Sequence, residues 1–230
     1  MLSTKLFIYM KLNEMIVLAD NDGTIRDTNN VKDKCLDVFC SLEFGQSLSE
    51  LLPTELHRQM HGRPMAEIFV EIAAQIYGKN ISFAAGQEIT DRLNLYIRPE
   101  YVSRPVYEGA VEFYSTLKEM GLPMYILTGM EPDLVAEGLE KNGMAGIFDG
   151  ILGAPKSKEE NIADILAQHK GARILAMGDA LAEYTATMAY PKTIFLAFDF
   201  ENRKKRVFPD NVNILTKYDR QVWEEIEKQL

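Results

Sequence analysis

From Pro105 onward the chain alternates short apolar runs with stretches of helical periodicity, and this alternation restricts the fold more than any other feature. Met124-Tyr125-Ile126-Leu127 ends at Thr128-Gly129, Phe148 to Leu152 reads as a further strand, Arg173 to Met177 leads into Gly178-Asp179, and Ile194 to Phe198 is another. Between and around them, helices are expected along Val111, Tyr114, Leu117 and Met120, along Leu134, Val135 and Leu139, at Ile162, Ile165 and Leu166, and finally around Val222, Trp223 and Ile226. Parallel strands require crossover connections and are covered on both faces, so the pattern predicts an α/β fold with a parallel sheet between helical layers.

One more buried strand is expected at Met15-Ile16-Val17-Leu18-Ala19, far upstream. The segment between it and Pro105 has helical spacing: Val31, Cys35, Val38, Phe39 and Leu42 share one candidate face, and Met65, Ile68, Phe69, Ile72 and Ile76 share another. A helical block that interrupts the alternation after its first strand reads as an insertion. The expected organisation is therefore a Rossmann-like three-layer core from residues 1–28 and 105–230, with an α-helical cap domain over 29–104.

Composition narrows the function classes. With 34 acidic residues against 25 Lys and Arg, the net charge of −9 argues against a nucleic-acid partner, since a phosphate backbone demands a positive field. Hydrophobic residues make up 47% of the 230, enough for a substantial core. No stretch approaches the roughly 20 apolar residues that span a bilayer, and Leu6-Phe7-Ile8-Tyr9 is too short for a secretion signal. Cys35 and Cys40, the only cysteines, read as buried thiols, which fits a cytoplasmic setting. Oligomeric state is not legible.

The chemistry gathers at strand ends. Asp20-Asn21-Asp22-Gly23-Thr24 follows the first strand, Thr128-Gly129 the second, Lys158 lies beyond Leu152, and Asp179 follows Gly178. In a parallel sheet these positions share one edge, where α/β proteins bind ligands. Carboxylates from Asp20 and Asp179, with a backbone carbonyl near Asp22, form an oxygen-rich set suited to Mg2+. Thr128 can donate to a phosphoryl oxygen, and Lys158 can offset the charge that builds when an anion approaches a phosphate.

Taken in order, these four motifs, with Glu183 after Gly178-Asp179, resemble those of the haloacid dehalogenase superfamily of phosphatases. The helical insertion resembles the cap of the subgroup that includes phosphoglycolate phosphatase and β-phosphoglucomutase. The resemblance implies that Asp20 attacks phosphorus to give an aspartyl phosphate and that Asp22 acts as general acid and then general base. It also implies a small phosphorylated metabolite as substrate. An acid at Asp22 favours phosphoryl transfer over carbon-halogen cleavage, because superfamily dehalogenases lack it, and over the superfamily's ATPases, which carry threonine there. The nearest alternative is a phosphomutase; from another class comes a phosphoaspartate or metal-binding module without turnover.

Some positions depart from the family pattern. Glu183 stands where Asp is usual, so its contact is to the metal directly, through water, or only to the lysine; otherwise it is an exposed helix residue. Lys156 competes with Lys158 for the phosphate role, and Lys158 is preferred because it can open the following helix. Asn21 fills a loop position that is commonly apolar. In the cap, Arg63 is a candidate for a substrate carboxylate or phosphate, alongside His57, Arg58 and His61. Arg203-Lys204-Lys205-Arg206 reads as a solvated loop face.

Overall fold

The computed structural model describes residues 11–12, 14–48, 64–153, 156–200 and 208–230. Arg63, His57, Arg58, His61 and the basic run at 203–206 lie outside the described residues.

Six strands, β1 (Met15–Ala19), β2 (Met124–Leu127), β3 (Gly150–Leu152), β4 (Arg173–Gly178), β5 (Ile194–Phe198) and β6 (Ile214–Leu215), form one sheet in the order β3-β2-β1-β4-β5-β6. Every pairing is parallel, with Ala19 level with Ile126 on one side and Met177 on the other. All five residues of β1 are buried, as are those of β5, so these strands read as continuous apolar runs. Successive side chains of β1 enter opposite cores: Met15, Val17 and Ala19 join one cluster, Ile16 and Leu18 the other.

Helices close both faces. Within the first cluster lie residues of α4 (Ala110–Glu119), α5 (Pro132–Lys141) and α8 (Arg220–Gln229); the second holds Ile162 and Ile165 of α6 (Lys158–Gln168) and Ala186 of α7 (Leu181–Met188). Between β1 and α4 come α1 (Asn29–Phe44), α2 (Met65–Gln75) and α3 (Phe83–Ser103). The fold is thus a Rossmann-like three-layer core with an inserted helical cap. The chain builds outward from β1 through β2 to β3, then returns to place β4 on the other side of β1. This reversal opens a crevice beyond the C-terminal ends of β1 and β4.

The structure revises some expected faces and ends. The strand expected over Phe148 to Leu152 is only Gly150–Leu152, beginning where Gly150 pairs with Tyr125. In α1 the buried arc runs through Val31, Cys35, Leu36, Phe39 and Cys40; a 100° step per residue puts Val38 beyond its edge, while Leu42 in the last turn is 73% exposed. In α4 the buried stripe is Ala110, Phe113, Tyr114 and Leu117, which leaves Val111 on the flank. Both cysteines are buried free thiols, and burial pushes Cys40 up to about 12.

Candidate active site

Asp20 is the first residue past β1, and its backbone N–H still bonds the Met177 carbonyl of β4 at 2.9 Å. The chain then turns sharply. The Asn21 carbonyl accepts from the backbone N–H groups of Thr24, Ile25 and Arg26, and Gly23 donates to the Arg26 carbonyl at 2.9 Å. Gly23 adopts φ +77°, and a Cβ there would meet Asn29 Nδ2 at 2.0 Å and Asp179 Oδ2 at 2.3 Å. Glycine is required for both reasons: the left-handed backbone and the close approach of a side-chain carboxylate.

Lys158 is the first residue of α6, whose N-terminus is fixed by a capping box between Ser157 and Glu160. Its ammonium donates to Asp20 Oδ1 at 2.8 Å and to Glu183 Oε1, with both ion pairs buried. Glu183, at the start of α7, also accepts from the Ala180 backbone N–H at 3.1 Å. At 5% exposed it is no surface glutamate; of the contacts open to it, the structure shows the one to the lysine. Lys156 turns away to pair with Asp164 at the exposed surface, at 2.5 Å.

Asp22, two residues from Asp20, has different company. Its Oδ1 accepts from Thr28 Oγ1 at 2.6 Å, Tyr101 OH at 2.7 Å and Asn21 Nδ2 at 2.9 Å, while Oδ2 accepts from Lys32 Nζ at 2.9 Å. Lys32 belongs to α1 and Tyr101 to α3, so two inserted helices reach the motif loop. Asn21 is fully buried and also donates to Tyr101 OH at 2.9 Å. Asp179, after β4, accepts from Asn29 Nδ2 of α1 at 2.8 Å.

Thr128 and Gly129 follow β2 on the same edge. The Thr128 hydroxyl oxygen accepts from the Met130 backbone N–H at 3.0 Å, which leaves its own proton available to a ligand. No contact joins Thr128 to the acids among the hydrogen bonds described, so register alone brings it to their edge.

The two aspartates differ electrostatically. Burial is the largest influence on Asp20 and raises it; Lys158 opposes, Glu183, Asp179 and Asp22 add to the rise, and the result is about 8. Burial also raises Asp22, but Lys32 and the hydrogen bonds from Thr28 and Tyr101 outweigh it and bring Asp22 down to about 2. Burial would lower Lys32 and Lys158, yet their carboxylate partners prevail and hold both above the ordinary lysine value.

The donor set fits a hard divalent cation. Four buried carboxylates, Asp20, Asp22, Asp179 and Glu183, share this edge with two lysines, Lys158 paired to Asp20 and Glu183 and Lys32 to Asp22, and the neighbouring acids add to the burial that raises Asp20. A cation among them would reverse that push. Among the described residues no three His, Cys, Asp or Glu side chains are clustered to grip a metal. An Mg2+ site of two carboxylates, a backbone carbonyl and waters needs no such cluster.

Sequence reading missed Thr28, Asn29, Lys32 and Tyr101. The first three follow the motif loop directly, and a polar first turn of helix beside an acid pair is a usable signal. Tyr101 is 79 residues from Asp22 and carries none.

Residues 15–187 match a family described as haloacid dehalogenase-like hydrolase. Among curated proteins none matches the sequence. Solved structures with the same fold include an Entamoeba histolytica HAD hydrolase of family IA, variant 3, at 16% identity and TM-score 0.71, covering 94% of this chain and 98% of that one. A protein from Clostridium acetobutylicum described as a predicted phosphatase is 19% identical with TM-score 0.62, covering 80% and 84%. CbbY from Rhodobacter sphaeroides, solved with xylulose-(1,5)bisphosphate, is 14% identical with TM-score 0.63, covering 88% and 94%.

Proposed function

We propose that this chain, which belongs to the haloacid dehalogenase-like hydrolases, is a Mg2+-dependent phosphatase that hydrolyses a small phosphorylated metabolite through an aspartyl phosphate on Asp20. The observation that carries the reading is the pair of aspartates two residues apart at the crevice: Asp20 bound to Lys158, and Asp22 in a separate set of donors. Two neighbouring acids held by different partners suit a division of work between a nucleophile and a proton carrier.

In this reading an oxygen of Asp20 attacks phosphorus, and the bond to the leaving oxygen breaks as Asp22 supplies it with a proton. Water then attacks the phosphoryl group, Asp22 takes the water's proton, and phosphate leaves Asp20. Lys158, held in place by Glu183, faces the charge gathered around the transferring group, and Thr128 with Gly129 receives phosphoryl oxygens. Asp20, Asp179 and the backbone carbonyl of Asp22 would hold Mg2+, which supplies Lewis-acid neutralisation of the phosphate.

The reading treats 29–104 as the cap and 1–28 with 105–230 as the core. No described helix is long and apolar enough to cross a membrane, and a cytoplasmic setting is part of the proposal. A sugar bisphosphate bound to a protein of like fold puts phosphorylated sugars first among candidate substrates, followed by phosphorylated hydroxy acids and nucleotides.

The test is release of free phosphate from a panel of these compounds with and without Mg2+, for the wild type and Asp20→Asn. Turnover that needs Mg2+ and vanishes in the variant is expected. Undiminished turnover by a folded Asp20→Asn protein overturns the reading. Phosphate returned to the sugar, with dependence on a bisphosphate activator, identifies a phosphomutase instead.

A further inference from the structure

The two oxygens of Asp22 are unequally occupied. Oδ1 accepts three hydrogen bonds, from Thr28, Tyr101 and Asn21, whereas Oδ2 accepts one, from Lys32. A carboxylate oxygen has about two lone-pair directions, so Oδ1 is saturated and Oδ2 retains room for another partner. Two of the four donors come from inserted helices, Lys32 from the one that follows the motif loop and Tyr101 from one far along the chain.

Tyr101 is itself firmly placed. It is fully buried near the end of α3, and its own backbone carbonyl accepts from Arg26 Nη2 at 2.5 Å, with the Val102 and Arg104 carbonyls at 3.3 Å. The Arg26 guanidinium also lies 4.9 Å from the centre of the Tyr101 ring. Gly138 makes this possible, because a Cβ there would meet Arg26 Nη1 at 2.1 Å. Arg26 therefore ties the last turn of α3 to the loop that carries Asp20 and Asp22. Lys32, by contrast, keeps 19% of its side chain exposed.

We propose that Tyr101 and Lys32 are positioning residues for proton transfer: Tyr101 fixes Oδ1 of Asp22, and Lys32 attends Oδ2, the oxygen that exchanges a proton with the leaving group and with water. Neither residue touches the reacting phosphorus in this scheme. Their effect passes through the orientation of one carboxylate, and their origin in the inserted helices makes the placement of the cap a condition for efficient proton transfer. The inference rests on the phosphatase reading and deepens it by assigning two residues to its acid-base step.

Leaving-group chemistry tests it. An alkyl phosphate such as glycerol phosphate needs a proton on its departing oxygen, whereas p-nitrophenyl phosphate departs as a stable anion and does not. Tyr101→Phe and Lys32→Met should each slow first-turnover release of the alcohol from the alkyl ester by about tenfold or more, as general acid catalysis contributes about 10²–10⁴. First-turnover release of p-nitrophenolate should change less than about threefold, and Lys32→Arg should recover part of the loss. Asp22→Ala should show the same first-turnover selectivity more strongly, while its steady-state turnover falls on both esters because the same carboxylate activates water. Equal first-turnover losses on both esters overturn the assignment. Failure of the wild type to release phosphate from either ester, or persistence of release in Asp20→Asn, instead overturns the phosphatase reading, and the assignment falls with it.

Discussion

Asp20 and Asp22 are separated by one residue, yet they belong to different halves of the molecule. Asp20 bonds to the core, through Lys158 on α6, which in turn holds Glu183 on α7. Asp22 bonds to the inserted helices, through Lys32 on α1 and Tyr101 on α3, besides its own loop. Burial is the largest influence on both and raises both: at Asp20, where Lys158 and the neighbouring acids pull in opposite directions, it prevails and gives about 8, while the donors around Asp22 outweigh it and bring that group down to about 2. A loop between a sheet edge and an inserted domain can thus give two identical side chains different work, because each faces a different body of protein.

The comparison breaks most visibly on the core side. Lys158→Met removes the only ammonium bonded to Asp20 among the described contacts, and kcat is expected to fall by about a hundredfold or more, as for loss of a single charge-stabilising group. The Asp22 donors are untouched by it, so the ratio of alkyl to aryl ester turnover should stay within a factor of about three. Steady-state kinetics on the two esters reads this directly. A selective loss on the alkyl ester would mean that the halves are not separate.

A smaller effect is expected on the cap side. Arg26→Met abandons three carbonyls at the end of α3 and should cost about 1.5–3 kcal/mol of stability, the range for hydrogen bonds made by a charged group. Urea denaturation checks it. Turnover of the alkyl ester should drop with it while Lys158 keeps its contacts. A variant as stable as the wild type would remove Arg26 from the account of how Tyr101 is held.

A last test lies at the seam. Gly23→Ala puts a Cβ into the space between Asn29 and Asp179 and keeps a positive φ, at a cost of about 1–2 kcal/mol from the backbone alone, before the side chains around it shift. The displaced Asp179 should weaken Mg2+ binding, measurable by calorimetric titration. Unchanged affinity would separate Asp179 from the metal.

Much of this was legible because the candidate edge is written locally. Met15–Ala19 is apolar throughout since both its faces are covered, and the acids follow it without a gap, so strand, loop and chemistry appear in one stretch. The same held for Thr128 and Asp179, each directly after its strand, and for Lys158, which opens the helix after β3. The two-residue β6 and the eight-residue α7 gave too little periodicity to be seen. Tyr101 was invisible for another reason: in the sequence it is one more apolar residue of a helix, and only the packing of α3 brings its hydroxyl to Asp22. The faces of α1 and α4 were misjudged at Val38, Leu42 and Val111 because hydrophobic character marks a helix's period more firmly than the side on which its neighbours lie.

The division of labour between the two aspartates is tested most directly by trapping the phosphoryl group. An Asp22→Ala protein, supplied with acetyl phosphate and Mg2+ and quenched in acid, lacks the base that activates water, so phosphate should remain on the chain. Peptide mass mapping is expected to find a phosphoryl group on Asp20, present near one per molecule, sensitive to hydroxylamine and absent when Asp20 is also changed to Asn. A phosphoryl group on another residue, or none while the wild type releases phosphate from acetyl phosphate at full rate, would contradict the account.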